Sequence, residues 1–449
     1  MEVIFMNRFY SPMLNPNYEG VNIDDLVVAT YLIGTSKDED PIIKASSIGI
    51  EQTTGSWIDV PAETDEVRAK YASKIIGIYE VPDYENQFNV NQNVPDDGTR
   101  FYVVRIGFPV ANIDDNIPLL FATILGNVTA MPNLRILDID FPKSFACKFQ
   151  GPKFGIQGIR DILGVKERPL LNNMIKPCTG YTPDVGAKLF YEAAVGGVDI
   201  IKDDELIGGS RVFNNLEERV EKNMAAAAKA DKIKGEKTLY AVNITDEISR
   251  LKDNAMKAIN AGANCLMVDT FGIGLSALRY LAEDPKINVP ILSHCCFGAS
   301  WTVSPYQGVS STVLTKLTRM CGADTLLIEL PYGKFDIVPF KYRKSITTCT
   351  GKLYDIKPTL PFVGGGVIPG IIPKILDDAG YDILLGVGAG IHGHKMGPQA
   401  GAKAFRYIID ACMNNIPLKE AAKDHEELRV SLETWGMYGK ENLKDNYAI

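Results

Sequence analysis

Eight short apolar runs recur through the last two-thirds of the chain: LLNNMIK (170–176), VDIIK (198–202), TLYAVN (238–243), CLMVD (265–269), PILSH (290–294), TLLIEL (325–330), LPFVGGG (360–366) and DILLGVG (382–388). Helix-period segments lie between them, among them DVGAKLFYEAAVGG, LEERVEKNMAAAAKA and ISRLKDNAMKAINAGA. An apolar run followed by an amphipathic helix is the sequence form of a buried parallel strand and its return crossover. The spacing of roughly 25–40 residues is the pitch of such a unit. Eight of them predict a (β/α)8 barrel. An open doubly wound sheet is the competing architecture, but no G-x-G-x-x-G follows the first strand, and the count of eight favours closure.

Upstream the rhythm differs. DLVVATYLIG (25–34), KIIGIYEVP (74–82), RFYVVRIGFP (100–109) and LRILDIDFP (134–142) are rich in Val, Ile and Tyr and predict strands. Helical stretches are expected near 38–52 and 114–125. The expected chain is therefore α/β: an N-terminal ferredoxin-like α+β domain over 1–147, then a (β/α)8 TIM barrel over 148–449. The tail, 402–432, is expected to add two helices outside the barrel.

Composition removes several classes of function. The 449 residues are 46% apolar and 23% charged with a formal net charge of −8, and no basic stripe is visible. Nucleic acid is therefore not an expected partner. No apolar stretch approaches the roughly 18–20 residues that span a bilayer. The start, MEVIFMNRFY, lacks a basic region followed by an apolar core, so no secretion signal is expected. Eight cysteines without a C-x-x-C pair fit free thiols in a reducing cytoplasm.

Barrel chemistry gathers at the carboxyl ends of the strands. Read in order, those ends carry Lys176, Lys202-Asp203-Asp204-Glu205, Asn243, Asp269, His294, Gly364–Gly366, and Gly388-Ala389-Gly390 with His392 and His394. A charge run such as GGVDIIKDDE is ordinarily a solvated face or turn, but polar residues at most of eight strand ends are not an ordinary pattern. Asp204 and Glu205 offer hard oxygens suited to Mg²⁺. Lys202 as an ammonium repels a cation; as a neutral amine it can add CO2 and become an anionic carbamate, a third oxygen ligand. Burial and nearby Lys176 favour the neutral amine. A plain salt-bridge cluster is the alternative. Glycines after the seventh and eighth strands suit backbone N–H contacts to a phosphate, or simply tight turns. Lys334, in ELPYGKFDI, is either a mobile lid group or a solvated loop lysine.

Together these residues resemble the large subunit of RuBisCO and the RuBisCO-like proteins, over nearly the whole chain. GGVDIIKDDE resembles the family's metal motif, which implies a carbamylated Lys202 with Asp204 and Glu205 on Mg²⁺. MIKPCTG (174–180) puts Lys176 at the position of the enolising base. SHCCFGASWTVSP supplies His294 and YGK supplies Lys334 as further catalytic groups. IEQTTGSW (50–57) and GNV (126–128) resemble segments that complete a neighbouring subunit's site, giving Glu51, Ser56, Trp57 and Asn127 and implying a homodimer or an assembly of dimers. Gly365, Gly366, Gly388, Ala389 and Gly390 match the phosphate-binding positions, with Ala389 in place of a glycine.

The departures bear on the substrate. True carboxylases of the family read K-P-K where this chain has Lys176-Pro177-Cys178, carry an arginine at Cys295 and a histidine at Leu327. The arginine and histidine hold the second phosphate of a bisphosphate, and without them that dianion lacks counter-charge. Ribulose bisphosphate carboxylation is therefore not expected, and a substrate with one phosphate is. The wording GPKFGIQGIR, ERPLL, GGVDIIKDDE and KTLYAVN resembles the 2,3-diketo-5-methylthiopentyl-1-phosphate enolases. Those enzymes place a lysine at Asn127 and lack the loop lysine, whereas this chain reverses both features. The expected activity is instead decarboxylation of 3-oxo-isoapionate 4-phosphate through an enediolate, with Lys334 holding a carboxylate or the departing CO2. The enolase, or isomerisation of 5-methylthioribulose 1-phosphate, stands as the alternative. A non-catalytic role is disfavoured because Lys176, Lys202, Asp204, Glu205, His294 and Lys334 are kept together.

Overall fold

A computed structural model of the chain describes residues 9–55, 58, 60–81, 98–209, 212–335 and 337–438. It divides into two compact units: Met1–Phe149 with Gly298–Leu314, and Gln150–Phe297 with Thr315–Ile449.

In the first unit, β1 (Leu26–Ser36), β2 (Lys74–Glu80), β3 (Thr99–Pro109) and β4 (Leu134–Asp140) form an antiparallel sheet in the order β4-β1-β3-β2. With helices Pro41–Glu51 and Ile117–Ile124 this is the ferredoxin-like βαββαβ arrangement. Both helices begin where the chain supplies a cap. The Asp40 carboxylate accepts the Ile42 N–H at 2.7 Å and the Asn116 side chain accepts the Leu119 N–H at 3.0 Å, each with a proline in the first turn. A short helix at Asp65–Tyr71, capped by Thr64, was not foreseen.

The second unit holds β5 (Leu170–Met174), β6 (Ile200–Lys202), β7 (Leu239–Asn243), β8 (Cys265–Asp269) and β9 (Ile291–His294). The chain then contributes β10 (Gly308–Val309), which pairs parallel with β4 in the first unit's sheet. It resumes the barrel with β11 (Thr325–Glu329), β12 (Leu360–Gly364) and β13 (Leu384–Val387). The eight strands close in the order β11-β12-β13-β5-β6-β7-β8-β9, every pair parallel.

The barrel centre is filled from alternate strand positions. Leu170, Ile200, Leu239, Ala241, Cys265, Met267, Leu292, Leu360, Phe362 and Leu384 form one buried cluster, with Leu327 packed against it. At the opposite end of the strands from the carboxyl mouth, the buried Asp324 carboxylate accepts the backbone N–H groups of Phe154 (2.6 Å), Gly155 (2.8 Å) and Ile291 (2.9 Å), fastening the chain entering the barrel to β9 and β11. The tail departs from expectation: 402–413 belongs to the eighth barrel helix, Pro398–Met413, and the shorter helices Leu418–Asp424 and Glu426–Trp435 follow. No described helix is long and apolar enough to cross a membrane.

Candidate active site

Side chains alternate along a strand, so the residue two beyond each interior core position projects into the carboxyl mouth. Counting on from Ile200, Ala241, Met267, Leu292 and Leu327 gives Lys202, Asn243, Asp269, His294 and Glu329. On β12 the same step from Phe362 gives Gly364, where an added Cβ would come within 2.8 Å of Leu327 Cδ1, so the glycine makes room for the Leu327 side chain.

The run 202–205 divides by the same rule. Lys202 points inward and is wholly buried; its Nζ donates to the Asp203 carbonyl at 2.8 Å and to Glu205 Oε2 at 3.3 Å. Asp203 turns the other way. Its carboxylate receives Arg219 Nε at 3.1 Å, the Tyr240 hydroxyl at 2.6 Å and the Asn243 N–H at 3.0 Å, all inside the protein. Arg219 comes from helix Leu216–Lys234 and is itself buried, so this ion pair locks the turn after β6 to β7. Asp204 and Glu205 then return to the mouth.

Lys176, just past β5, places Nζ 2.8 Å from Asp204 Oδ2 and 2.9 Å from Cys178 Sγ. Burial disfavours its charge, but the bonds to Asp204 and Cys178 outweigh that and raise the ammonium above its ordinary range. Glu205 Oε2 lies 3.4 Å from His294 Nε2. Burial, with repulsion from Lys202, drives the imidazole well below its ordinary value, so His294 is neutral near pH 7. Glu205 stays ionised: burial opposes it, and the Lys202 charge overcomes burial. With a neutral imidazole, the contact between them is not an ion pair. The Cys296 N–H donates to His294 Nδ1 at 3.2 Å, which leaves Nε2 as the protonated nitrogen facing Glu205.

Asp269 stands behind His294, with Oδ1 4.0 Å from Nδ1. That oxygen is buried without a hydrogen-bond partner, and burial lifts the carboxyl to about 6. Donor atoms of Asp269, His294 and Cys296 all fall within 4.8 Å of one another.

The glycine positions bound the other side. Gly365 and Gly366 have φ of +95° and +101°, a backbone that side-chain-bearing residues rarely adopt. The Lys334 N–H donates to the Gly365 carbonyl at 3.0 Å, so the loop after β11 rests on this turn, and the Lys334 ammonium lies 4.9 Å from the Phe335 ring centre. A side chain at Gly388 would come within 3.0 Å of Lys176 Cε. Ala389 and Gly390 open the short helix Ala389–His392. His392 instead contacts Asn173 Oδ1 at 3.0 Å and His394 contacts the Glu427 carbonyl at 3.0 Å, which are packing roles.

The barrel thus brings Lys176, Lys202, Asp204, Glu205 and His294 into one linked set. In the first unit, Asn127 Nδ2 donates to Glu51 Oε1 at 3.3 Å, so these two expected residues share one edge of that unit. Ser56 and Trp57 lie outside the described residues. Sequence reasoning passed over Glu329, which looks like part of an apolar run until the strand's period of two is applied. It also passed over Arg219 and Tyr240, whose role depends on contacts distant in sequence.

Comparison with known proteins agrees with this fold. Residues 155–435 match the ribulose bisphosphate carboxylase large chain catalytic domain, and 13–145 match its N-terminal domain. The chain belongs to the RuBisCO large-chain family. Within it, a ribulose bisphosphate carboxylase-like protein of Archaeoglobus fulgidus is 47% identical over 409 residues, covering 90% of this chain and 92% of the relative. A 2,3-diketo-5-methylthiopentyl-1-phosphate enolase of Geobacillus kaustophilus is 36% identical over 418 residues, covering 92% and 98%. Among solved structures, a rubisco-like protein of Alicyclobacillus acidocaldarius superposes with a TM-score of 0.84 at 33% identity, covering 92% of this chain and 100% of that one. The dimeric archaeal Rubisco of Hyperthermus butylicus gives 0.83 at 30%, covering 94% and 98%. This chain is a RuBisCO-like member whose similarity extends to enolases.

Proposed function

We propose that the chain is a Mg²⁺-dependent enolase acting on a monophosphorylated keto compound, with 2,3-diketo-5-methylthiopentyl 1-phosphate as its substrate. The observation that carries this is the linked set at the barrel mouth: Lys176 on Asp204, Glu205 between Lys202 and His294, all ending strands of one barrel. Relatives at 34–36% identity carry that enolase name. The decarboxylation of 3-oxo-isoapionate 4-phosphate expected from Asn127 and Lys334 finds no support beside them and yields to the enolase.

The donors suit a hard divalent cation. Asp204 and Glu205 supply carboxylate oxygens, and Asp269 keeps a buried oxygen unpartnered close by. Buried Lys202 fits only as the carbamate formed with CO2, because its ammonium would oppose the cation. Lys202, Asp204 and Glu205 would hold Mg²⁺, which would supply Lewis-acid chemistry at the substrate carbonyl. Lys176 is the base that takes the proton next to that carbonyl. As it stands it is charged and paired with Asp204, so it becomes a base only once Asp204 is engaged elsewhere. Neutral His294, holding its Nε2 proton, is placed to donate to the developing enediolate oxygen. The backbone N–H groups of Gly365, Gly366, Gly388, Ala389 and Gly390 hold the single phosphate, and Lys334 covers it from the loop after β11. Glu51 and Asn127 complete the site of a partner chain in a homodimer.

Phosphorus NMR with purified protein, Mg²⁺ and bicarbonate tests the substrate. Conversion of 2,3-diketo-5-methylthiopentyl 1-phosphate is expected. Conversion of only 3-oxo-isoapionate 4-phosphate or 5-methylthioribulose 1-phosphate would replace that substrate with another.

A further inference from the structure

We infer that Glu329 is a specificity-determining residue that excludes substrates carrying a second anionic group; the inference rests on the monophosphate reading above. Thr325, Leu327 and Glu329 share one side of β11, and Leu327 packs against the barrel core. Glu329 therefore projects into the mouth. The register pairs Leu326 with Ser293, which sets Leu327 level with His294 and Glu329 one layer further out. On the β12 side its register partner is Gly364, which contributes no side chain.

Among the described residues Glu329 has no ion-pair partner, and its side-chain contact is the Cys295 thiol, 3.8 Å from Oε1. Burial holds that thiol well above its ordinary value, so it is neutral. The loop lysine Lys334 places its ammonium 4.9 Å from the Phe335 ring centre. Burial raises the Glu329 carboxyl above the usual carboxylate range, so the site already opposes one negative charge and a second anion beside it adds to that cost. A half-buried carboxyl beside a thiol, a leucine and a glycine is a wall that repels anions. The glycines proposed to hold phosphate follow β12 and β13, whereas the Cys295 neighbour of Glu329 follows β9, so one phosphate can bind while a second charged group at the β9–β11 side meets Glu329. The substrate's other end is therefore neutral, as a methylthio or hydroxyl group is.

Calorimetric binding of two probes, ribulose 1-phosphate and ribulose 1,5-bisphosphate, tests this with the full chain. Wild type is expected to prefer the monophosphate. In Glu329→Gln, nearly the same size, and in Glu329→Ala, that preference should fall by roughly tenfold or more through tighter bisphosphate binding, since like-charge contact is relieved. Unchanged melting temperatures confirm that the variants fold. If both probes bind and the ratio is unmoved in both variants, the role of Glu329 is overturned alone. Wild type that binds neither probe overturns the phosphate reading and this inference with it.

Discussion

At the scale of single residues, the four charges after β6 show how one local pattern serves two purposes. Lys202, Asp204 and Glu205 face the mouth, while Asp203 faces Arg219 and Tyr240 in the interior. That this run stands at a strand end beside Lys176 could be read from its position. The buttress could not, because Arg219 reaches Asp203 only after the helix has packed. Replacing Arg219 by Met leaves Asp203 buried and uncompensated, with an expected loss of about 3–5 kcal/mol in urea unfolding. Stability within about 0.5 kcal/mol of wild type would mean that Asp203 is neutralised by other means. Lys176→Met should fold normally and lose exchange of the substrate's α-proton with deuterated solvent. Exchange at the wild-type rate would remove Lys176 from the role of base. Glu329 was hidden for a different reason: within TLLIEL its one charge looks incidental, and only the alternation that buries Leu327 shows where the carboxyl points.

Among the elements, the barrel strands were the most readable feature. Each of the eight apolar runs contains an observed strand, because a parallel strand buried on both faces must be continuously apolar. Boundaries were less readable. The tail periodicity at 402–413 is the end of the eighth barrel helix, and a helix packed on the outside of a barrel has the same apolar stripe as one added to it. Helix Asp65–Tyr71 has no buried residues, which explains why its apolar pattern carried no signal. The amino-terminal side of the barrel depends on Asp324, a residue that seemed ordinary in sequence. Asp324→Ala strands three buried backbone donors and should cost about 2–4 kcal/mol of stability, with Asp324→Asn in between. Equal denaturation midpoints for wild type and Asp324→Ala would show that water replaces the carboxylate.

For the whole molecule, the ferredoxin-like unit and the barrel each carry part of the residue set that the family resemblance assigns to one site. Glu51 and Asn127 hydrogen-bond within the first unit, and the Lys202 set is assembled within the second. The strand pattern made both folds readable, but a site completed by another chain leaves no trace in periodicity. Mixing Glu51→Gln with Lys202→Ala, each inactive alone, should restore roughly a quarter of wild-type turnover, since half the random dimers are hybrids with one intact site each. Mixtures as inactive as their components would argue that each chain builds its own site.

The central claim is that Lys202 and its neighbours support Mg²⁺-dependent enolisation. The direct measurement is the rate at which 2,3-diketo-5-methylthiopentyl 1-phosphate loses its α-proton to deuterated solvent, followed by proton NMR with Mg²⁺ and bicarbonate. Wild type should exchange rapidly, and Lys202→Ala or removal of Mg²⁺ should each abolish exchange. Exchange that persists undiminished in Lys202→Ala, or without the metal, would contradict the account.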